Sequence, residues 1–216
     1  IFITIRGVLL VKDSRSTSEN NYLNKKQKLF DNVSAEQVSK NPFVYMDRQL
    51  VTTALTRIKL FEKILEVQGS IIECGVYQAN SLFLYAHLSS ILEPYNFNRK
   101  VVGFDTFEGF RSISDNDPQG INETDFSNTN FENIQEWSDI FDENRAVKHI
   151  PKIELIKGDV INTIPKYIND NPHLIVSLLY LDFDLYEPTT VALKNFLPLV
   201  PKGGIYEKYL AFVISL

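Results

Sequence analysis

Cysteine is nearly absent from this chain of 216 residues: Cys74 stands alone. One cysteine forms no intrachain disulfide and builds no zinc site. It falls in an apolar stretch, where a thiol acts as a small hydrophobe, and the lack of disulfides fits a reducing, cytoplasmic setting. Excess positive charge is also missing. The net charge is −5, with no stripe of Lys and Arg interleaved with aromatics, so a nucleic-acid backbone is not the expected partner. No apolar run reaches the roughly 20 residues of a membrane helix. The apolar start at residues 1–11 is interrupted by Arg6 and has no small-residue cleavage site, so it does not read as a signal peptide. The chain opens on Ile1 rather than Met, as a processed product or fragment would. The dinucleotide fingerprint G-x-G-x-x-G is missing too, which disfavours a nicotinamide-dependent oxidoreductase. Histidines number only three: His87, His149 and His173.

What is present is a hydrophobic fraction of 44%, enough for a sizeable core, with 23% charged residues. One α/β domain is the natural size. The chain is organised around residues 70–81, S-I-I-E-C-G-V-Y-Q-A-N-S. A short apolar run breaks at Gly75, and helix formers follow through Leu92. Strand, glycine turn, helix is the opening of a nucleotide-binding α/β unit. Gly75, lacking a Cβ, lets backbone approach a ligand closely.

The rest repeats that rhythm. Residues 1–11 are apolar and read as a strand or as an arm that packs on the domain or a neighbour. Residues 12–41 are polar and read as loop, with a short helix around 35–39. Apolar residues from Leu55 to Leu65 recur at helical spacing and predict a helix over 51–67. Strands are predicted at 100–105, 152–157 and 174–181, with helices at 79–92, 131–144, 160–169 and 188–197. Trp137 and Phe141 are expected on one face of the third of these helical segments counted from 51. The long stretch 106–130, rich in Gly, Ser, Asn, Asp and Pro, reads as a loop of a length that is often a functional lid or disordered. Strand–helix–strand spacing of about 30 residues implies parallel pairing. The expected division is an N-terminal arm or cap over 1–47 and the α/β domain over 48–216.

Four predicted strands end in acids: Glu73, Asp105, Asp159 and Asp182. In an open parallel sheet, ligands bind outside the carboxyl ends of the strands. Acids crowded there need a partner: a ribose, a cationic ligand or a metal. For any one of them the plain alternative is a helix cap, and Asp159 is the most exposed to it. His87 lies in a predicted helix and reads as structural. His149 flanks the third strand and is a candidate base that could reach the cleft.

The segments E-C-G-V-Y-Q-A-N-S, F-D-T-F-E-G-F at 104–110, K-G-D at 157–159 and L-D-F-D-L-Y-E-P-T at 181–189 together resemble the macrocin O-methyltransferase (TylF/MycF-like) family, from about residue 48 to 204. The resemblance implies a class I, Rossmann-like α/β methyltransferase fold with a mostly parallel sheet. It implies S-adenosylmethionine as cofactor and, as acceptor, a hydroxyl of a small molecule such as a natural-product sugar. It places Glu73 and Gly75 beside the methionine and ribose, Ser81 on the cofactor carboxylate, and Asp105 on the ribose hydroxyls. Thr106 and Phe107 would shape the adenine side, and Asp159 would lie near the adenine amine. Asp182 would act at the acceptor hydroxyl as catalytic residue and Mg²⁺ ligand, supported by Asp184. Tyr186 and Glu187 would lie behind them or face the substrate. A homodimer is expected. The family's acidic pair after the Gly-Gly strand is represented only by Glu207, and residues 210–216 leave room for one strand of an incomplete C-terminal hairpin. The competing reading from these departures is a degenerate, non-catalytic nucleotide-binding or oligomerisation domain.

Overall fold

A computed structural model describes residues 16–111, 113–117 and 120–208. The apolar arm at 1–11 and the C-terminal segment at 210–216 lie outside these described residues. In chain order the elements are α1 (Thr17–Phe30), α2 (Ala35–Lys40), α3 (Pro42–Tyr45), α4 (Arg48–Ile64), β1 (Ser70–Cys74), α5 (Asn80–Leu92), β2 (Val101–Asp105), α6 (Phe131–Glu143), β3 (Ile153–Lys157), α7 (Val160–Asp170), β4 (Val176–Leu181), α8 (Tyr186–Phe196) and β5 (Ile205–Lys208). A 3-10 turn at Leu197–Leu199 follows α8.

The five strands form one sheet in the order β3-β2-β1-β4-β5, every pair parallel. β1 is central, and all five of its residues are buried. Its side chains alternate between faces. Ile71 joins Phe61, Ile64, Leu82 and Tyr85 beneath α4 and α5. Ile72 and Cys74 join Ile164, Ala192 and Phe196 beneath α7 and α8. The chain runs β1, β2, β3 outward and then crosses back to β4. That reversal leaves a crevice between β1 and β4 at their carboxyl ends, the place where doubly wound sheets bind ligands.

Most predicted elements appear within a few residues of their expected bounds. The main difference is α1, which occupies a stretch read as loop. Its sequence, TSENNYLNKKQKLF, carries no apolar stripe, so periodicity gave no signal, although Lys, Gln and Leu favour helix. The helix is held from outside. Lys26 Nζ lies 3.0 Å from Asp47 Oδ2, and Asp47 in turn caps α4 by accepting from the Leu50 N–H at 3.0 Å. Trp137 departs from expectation as well: it is 58% exposed, while Ile134 and Phe141 supply the buried face of α6.

The amino-terminal edge of the sheet is fastened by a buried cation. Arg99 is 2% exposed. Its guanidinium donates to Glu93 Oε1 at 2.5 Å, to the carbonyls of Gly69 (2.9 Å), Ile64 (3.1 Å) and Val67 (3.0 Å), and to Ser177 Oγ at 2.6 Å. One side chain thus ties the end of α4, the turns before β1 and β2, and the start of β4. Replacing Arg99 with Met should cost about 3–5 kcal/mol, since carbonyls and the Glu93 carboxylate lose their donor in a closed site. Urea unfolding of the two proteins checks this; a loss below about 1 kcal/mol would contradict the fastening role.

Candidate active site

At the carboxyl ends of β1, β2 and β4 lies a cavity of about 330 Å³. Its floor is the turn from β1 into α5. Gly75 there has φ 89°, and a Cβ would stand 2.7 Å from the carbonyl carbon of Asp182. The close approach that demands glycine is therefore to the backbone leaving β4, although Gly75 also lines the cavity. Tyr77 and Ala79 in this turn both adopt positive φ, 48° and 62°. α5 begins on Ala79 with no side-chain cap, and its first residues, Asn80 and Ser81, face the cavity.

Asp105, at the end of β2, fixes this turn. Its Oδ2 accepts from the Val76 and Tyr77 N–H groups at 2.7 and 2.9 Å, and its Oδ1 from the Phe107 N–H at 2.8 Å. A carboxylate offers about four acceptor sites, so one remains, on Oδ1, for a ligand hydroxyl. The resemblance placed Asp105 on the ribose hydroxyls, and this is the acceptor site left for one of them. Thr106 lines the cavity, its Oγ1 donating to the Gly109 carbonyl at 2.6 Å. Phe107 turns away: it is buried against Phe131, ring centres 5.0 Å apart. Asp159 reaches the cavity wall and also caps α7, accepting from the Ile161 N–H at 3.0 Å.

Beneath the cavity the strand register assembles a charged row. Glu73 pairs with Tyr180, and Tyr180 with Glu207. Residues in register on parallel strands point to the same face, here the one covered by α4. Arg57 of α4 lies over them. It is 7% exposed, its Nη2 donates to the Tyr180 hydroxyl at 2.8 Å, and its guanidinium carbon is 5.1 Å from the centre of that ring. Burial opposes its charge, but Tyr180, Glu73, Tyr85 and Asp182 outweigh that and hold its pKa above the ordinary value.

The acids respond in the opposite direction. Glu73 is 0% exposed; Ser81 Oγ donates to its Oε1, and its Oε2 has no partner. Burial pushes its pKa up to about 8, against the pull of Ser81 and Arg57. Glu73 is not itself a cavity wall; Ser81 stands between. Asp182, which does line the cavity, is pushed up to about 7, first by burial and then by the charge of Asp184, with Arg57 opposing. Asp184 and Glu207 are raised by burial, moderated by Lys208 and Arg57 respectively. Among the described residues no three His, Cys, Asp or Glu side chains gather to hold a metal ion; Mg²⁺ commonly takes only one or two protein carboxylates, and Asp182 and Asp184 both line the cavity here.

Residues 126–128 of the stretch after β2 pack onto the β1–α5 turn. Tyr77 OH donates to Asn128 Oδ1 at 3.0 Å, and Gln78 Nε2 to the Asn128 carbonyl at 2.7 Å. Phe126 packs edge-on to Tyr77 and Phe110, at 5.2 and 5.4 Å, over the cavity mouth. Asp117 accepts from the Tyr186 N–H at 2.6 Å, joining the same stretch to α8. Tyr186 and Glu187 are exposed and do not line the cavity.

His149 is not brought to this site. It is exposed in the turn before β3, at the amino-terminal edge, and the five residues of β3 put about 16 Å of strand between it and the carboxyl edge. His87 packs edge-on to Phe141 at 4.9 Å, as a structural residue does. The residues that sequence reasoning missed are Arg57 and the aromatic trio Tyr77, Phe110 and Phe126. Arg57 carried a signal: it lies four and seven residues before Phe61 and Ile64, in core register, where an unpaired cation would be costly.

A doubly wound parallel sheet with an acid-lined crevice at its switch point, beside a long loop after β2, is the frame of a Rossmann-like nucleotide-binding domain. Residues 57–212 match the model of the macrocin-O-methyltransferase (TylF) family, and the chain belongs to that family. Its fold is similar to that of CalS11, described as a calicheamicin methyltransferase: 31% identity, 96% of this chain and 84% of that one covered, TM-score 0.83. An apo structure of CalS11, described as a TDP-rhamnose 3′-O-methyltransferase of calicheamicin biosynthesis, matches with 31% identity over 92% and 79% of the two chains, TM-score 0.75. The O-methyltransferase NovP shares the fold at 19% identity over 72% and 63%, TM-score 0.59. The comparison with curated proteins gives no match.

Glu73 binds its proton more tightly folded than unfolded. Between pH of about 4.5 and about 8 the native state therefore holds more protons than the unfolded chain, and stability falls as pH rises through that window. Asp182 adds a term of the same sign up to about pH 7. Glu73→Gln should flatten the decline, most visibly when urea unfolding at pH 5 is compared with pH 8. An equal decline in both proteins would show that Glu73 is not the titrating group.

Proposed function

We propose that this protein methylates a hydroxyl of a small molecule, a natural-product sugar, using S-adenosylmethionine. The observation that carries the reading is the cavity at the β1–β4 switch point, whose walls combine Asp105, Asp159 and Asp182 with the uncapped start of α5. The residues fit the cofactor: the acids suit a positively charged sulfonium, and the Asp105 Oδ1 site suits a ribose hydroxyl. The start of α5 with Ser81 suits a carboxylate. When bound, S-adenosylmethionine supplies an activated methyl group open to in-line displacement.

The chain's own work is then alignment and proton removal. Orientation of the acceptor oxygen supplies much of the rate in such a displacement. Asp182, with a pKa lifted to about 7, is suited to take the hydroxyl proton near neutral pH. Phe126, Phe110 and Tyr77 close the mouth and exclude water. Asp182 and Asp184 would hold Mg²⁺ with water completing its shell, and the ion would lower the pKa of the acceptor hydroxyl. CalS11's description as a nucleotide-sugar methyltransferase supports a sugar acceptor for this chain. The reading also takes the protein as a cytoplasmic homodimer, supported by its unpaired Cys74 and its apolar N-terminal run; sedimentation equilibrium tests the dimer, and a monomer at tens of micromolar would remove it.

Calorimetry with S-adenosylhomocysteine should show saturable binding to the intact protein. Asp105→Ala should weaken it strongly by releasing three backbone N–H groups and the turn they hold. Absence of binding by the intact protein would end the cofactor reading. Asp182→Asn should keep that binding while lowering methyl transfer on the order of 10²- to 10⁴-fold; transfer at an undiminished rate would remove Asp182 from the chemistry.

A further inference from the structure

We propose that Arg57 binds the carboxylate of the cofactor's amino-acid part, a role the sequence reading gave to Ser81 and the start of α5. The inference rests on the cofactor reading above. Among the described residues the cationic side chains on the cavity wall are Arg57 and Arg111. Arg111 is exposed and paired with Glu108. Arg57 is buried, rises from α4 on the same face of the sheet as Glu73, and reaches the cavity wall.

Ser81 connects the two halves of this corner. It lines the cavity in the first turn of α5, and its hydroxyl is bonded to Glu73, whose carboxylate lies within the field of Arg57. A carboxylate resting on the first N–H groups of α5 therefore lies in a corner that Arg57 also borders. A guanidinium presents its donors in a planar fork matched to a carboxylate. The charge balance favours the same occupant. Glu73, Asp182 and Glu207 surround Arg57, so an isolated anion would add to the repulsion. An α-amino acid brings its ammonium with its carboxylate and adds no net charge, and the acids beside Arg57 suit that ammonium. An arginine that served only to neutralise the core would have no reason to form part of the cavity wall.

The test compares two ligands that differ by the amino-acid part. S-adenosylhomocysteine carries it; 5′-methylthioadenosine keeps the nucleoside thioether without it. Binding of both is measured by calorimetry to the intact protein, Arg57→Lys and Arg57→Met. The assignment expects S-adenosylhomocysteine affinity to fall on the order of 10- to 100-fold in Arg57→Met and less in Arg57→Lys, which keeps the charge without the fork. Methylthioadenosine affinity should stay the same in all three, which also shows that the variants are folded. Equal losses for both ligands would make Arg57 structural, and an unchanged affinity for S-adenosylhomocysteine would exclude the contact; either overturns the assignment. If Arg57→Met does not fold, Arg57→Lys decides on the same comparison. Failure of the intact protein to bind either ligand would overturn the cofactor reading itself, and is seen before any substitution is made.

Discussion

The carboxyl edge of the sheet depends on one buried guanidinium. Parallel pairing sets Glu73, Tyr180 and Glu207 in a single row on one face, and Asp182 follows two residues beyond Tyr180. Without a cation this row would carry several buried carboxyl groups with little to offset their desolvation. Arg57 supplies the offset in part. Glu73 and Asp182 still have pKa values raised to about 8 and about 7. The edge is thus left short of positive charge, and a cationic ligand would relieve it.

The amino-terminal edge is built by the opposite rule. Arg99 and Lys152 are buried there, and both are well supplied with acceptors. Lys152 Nζ donates to Ser89 Oγ at 3.1 Å and to the carbonyls of Asn96 and Arg99 at 2.7 and 3.0 Å. At the carboxyl edge, by contrast, Glu73 Oε2 and Glu207 Oε2 are buried without partners. One end of the sheet satisfies its buried polar groups and the other does not. Such imbalance is tolerated where function requires it, which locates the site independently of any motif.

The sheet and most helices were legible because short apolar runs and glycine punctuation are local signals. The carboxyl-edge crevice was legible in the acids that end the predicted strands, whereas the strand order, with its reversal between β1 and β4, came from the structure alone. α1 was not legible, because it carries no apolar stripe; Lys26 on Asp47 and Phe30 against Tyr45, ring centres 5.8 Å apart, tie it to the rest of the chain. The acids at the strand ends could be seen, but their duties could not. Asp105, read as a ribose ligand, also clasps the turn, and Asp159 is also a helix cap. His149 was misplaced because proximity to a strand in sequence does not say which end of it the residue occupies. Arg57 was hidden because only the apolar residues of its helix, from Leu55 to Leu65, carried a periodic signal.

The clasp bears on how the site works. Asp105 reaches across from β2 to hold the turn after β1, and the absence of a Cβ at Gly75 lets the backbone after β4 lie against the same turn. Three strand ends are thereby locked before any ligand arrives. The turn's left-handed residues, Tyr77 and Ala79, cost conformational energy that these contacts must offset. Part of the ordering cost of binding is met in folding, so less of the ligand's interaction energy is consumed in shaping the site. The loop over the mouth is held differently, by side-chain contacts through Asn128 and Phe126 and by the link from Asp117 to α8. Few contacts of that kind break at modest cost. A rigid floor beneath a more easily opened cover allows ligands to enter and leave while the geometry at the β4 end stays fixed.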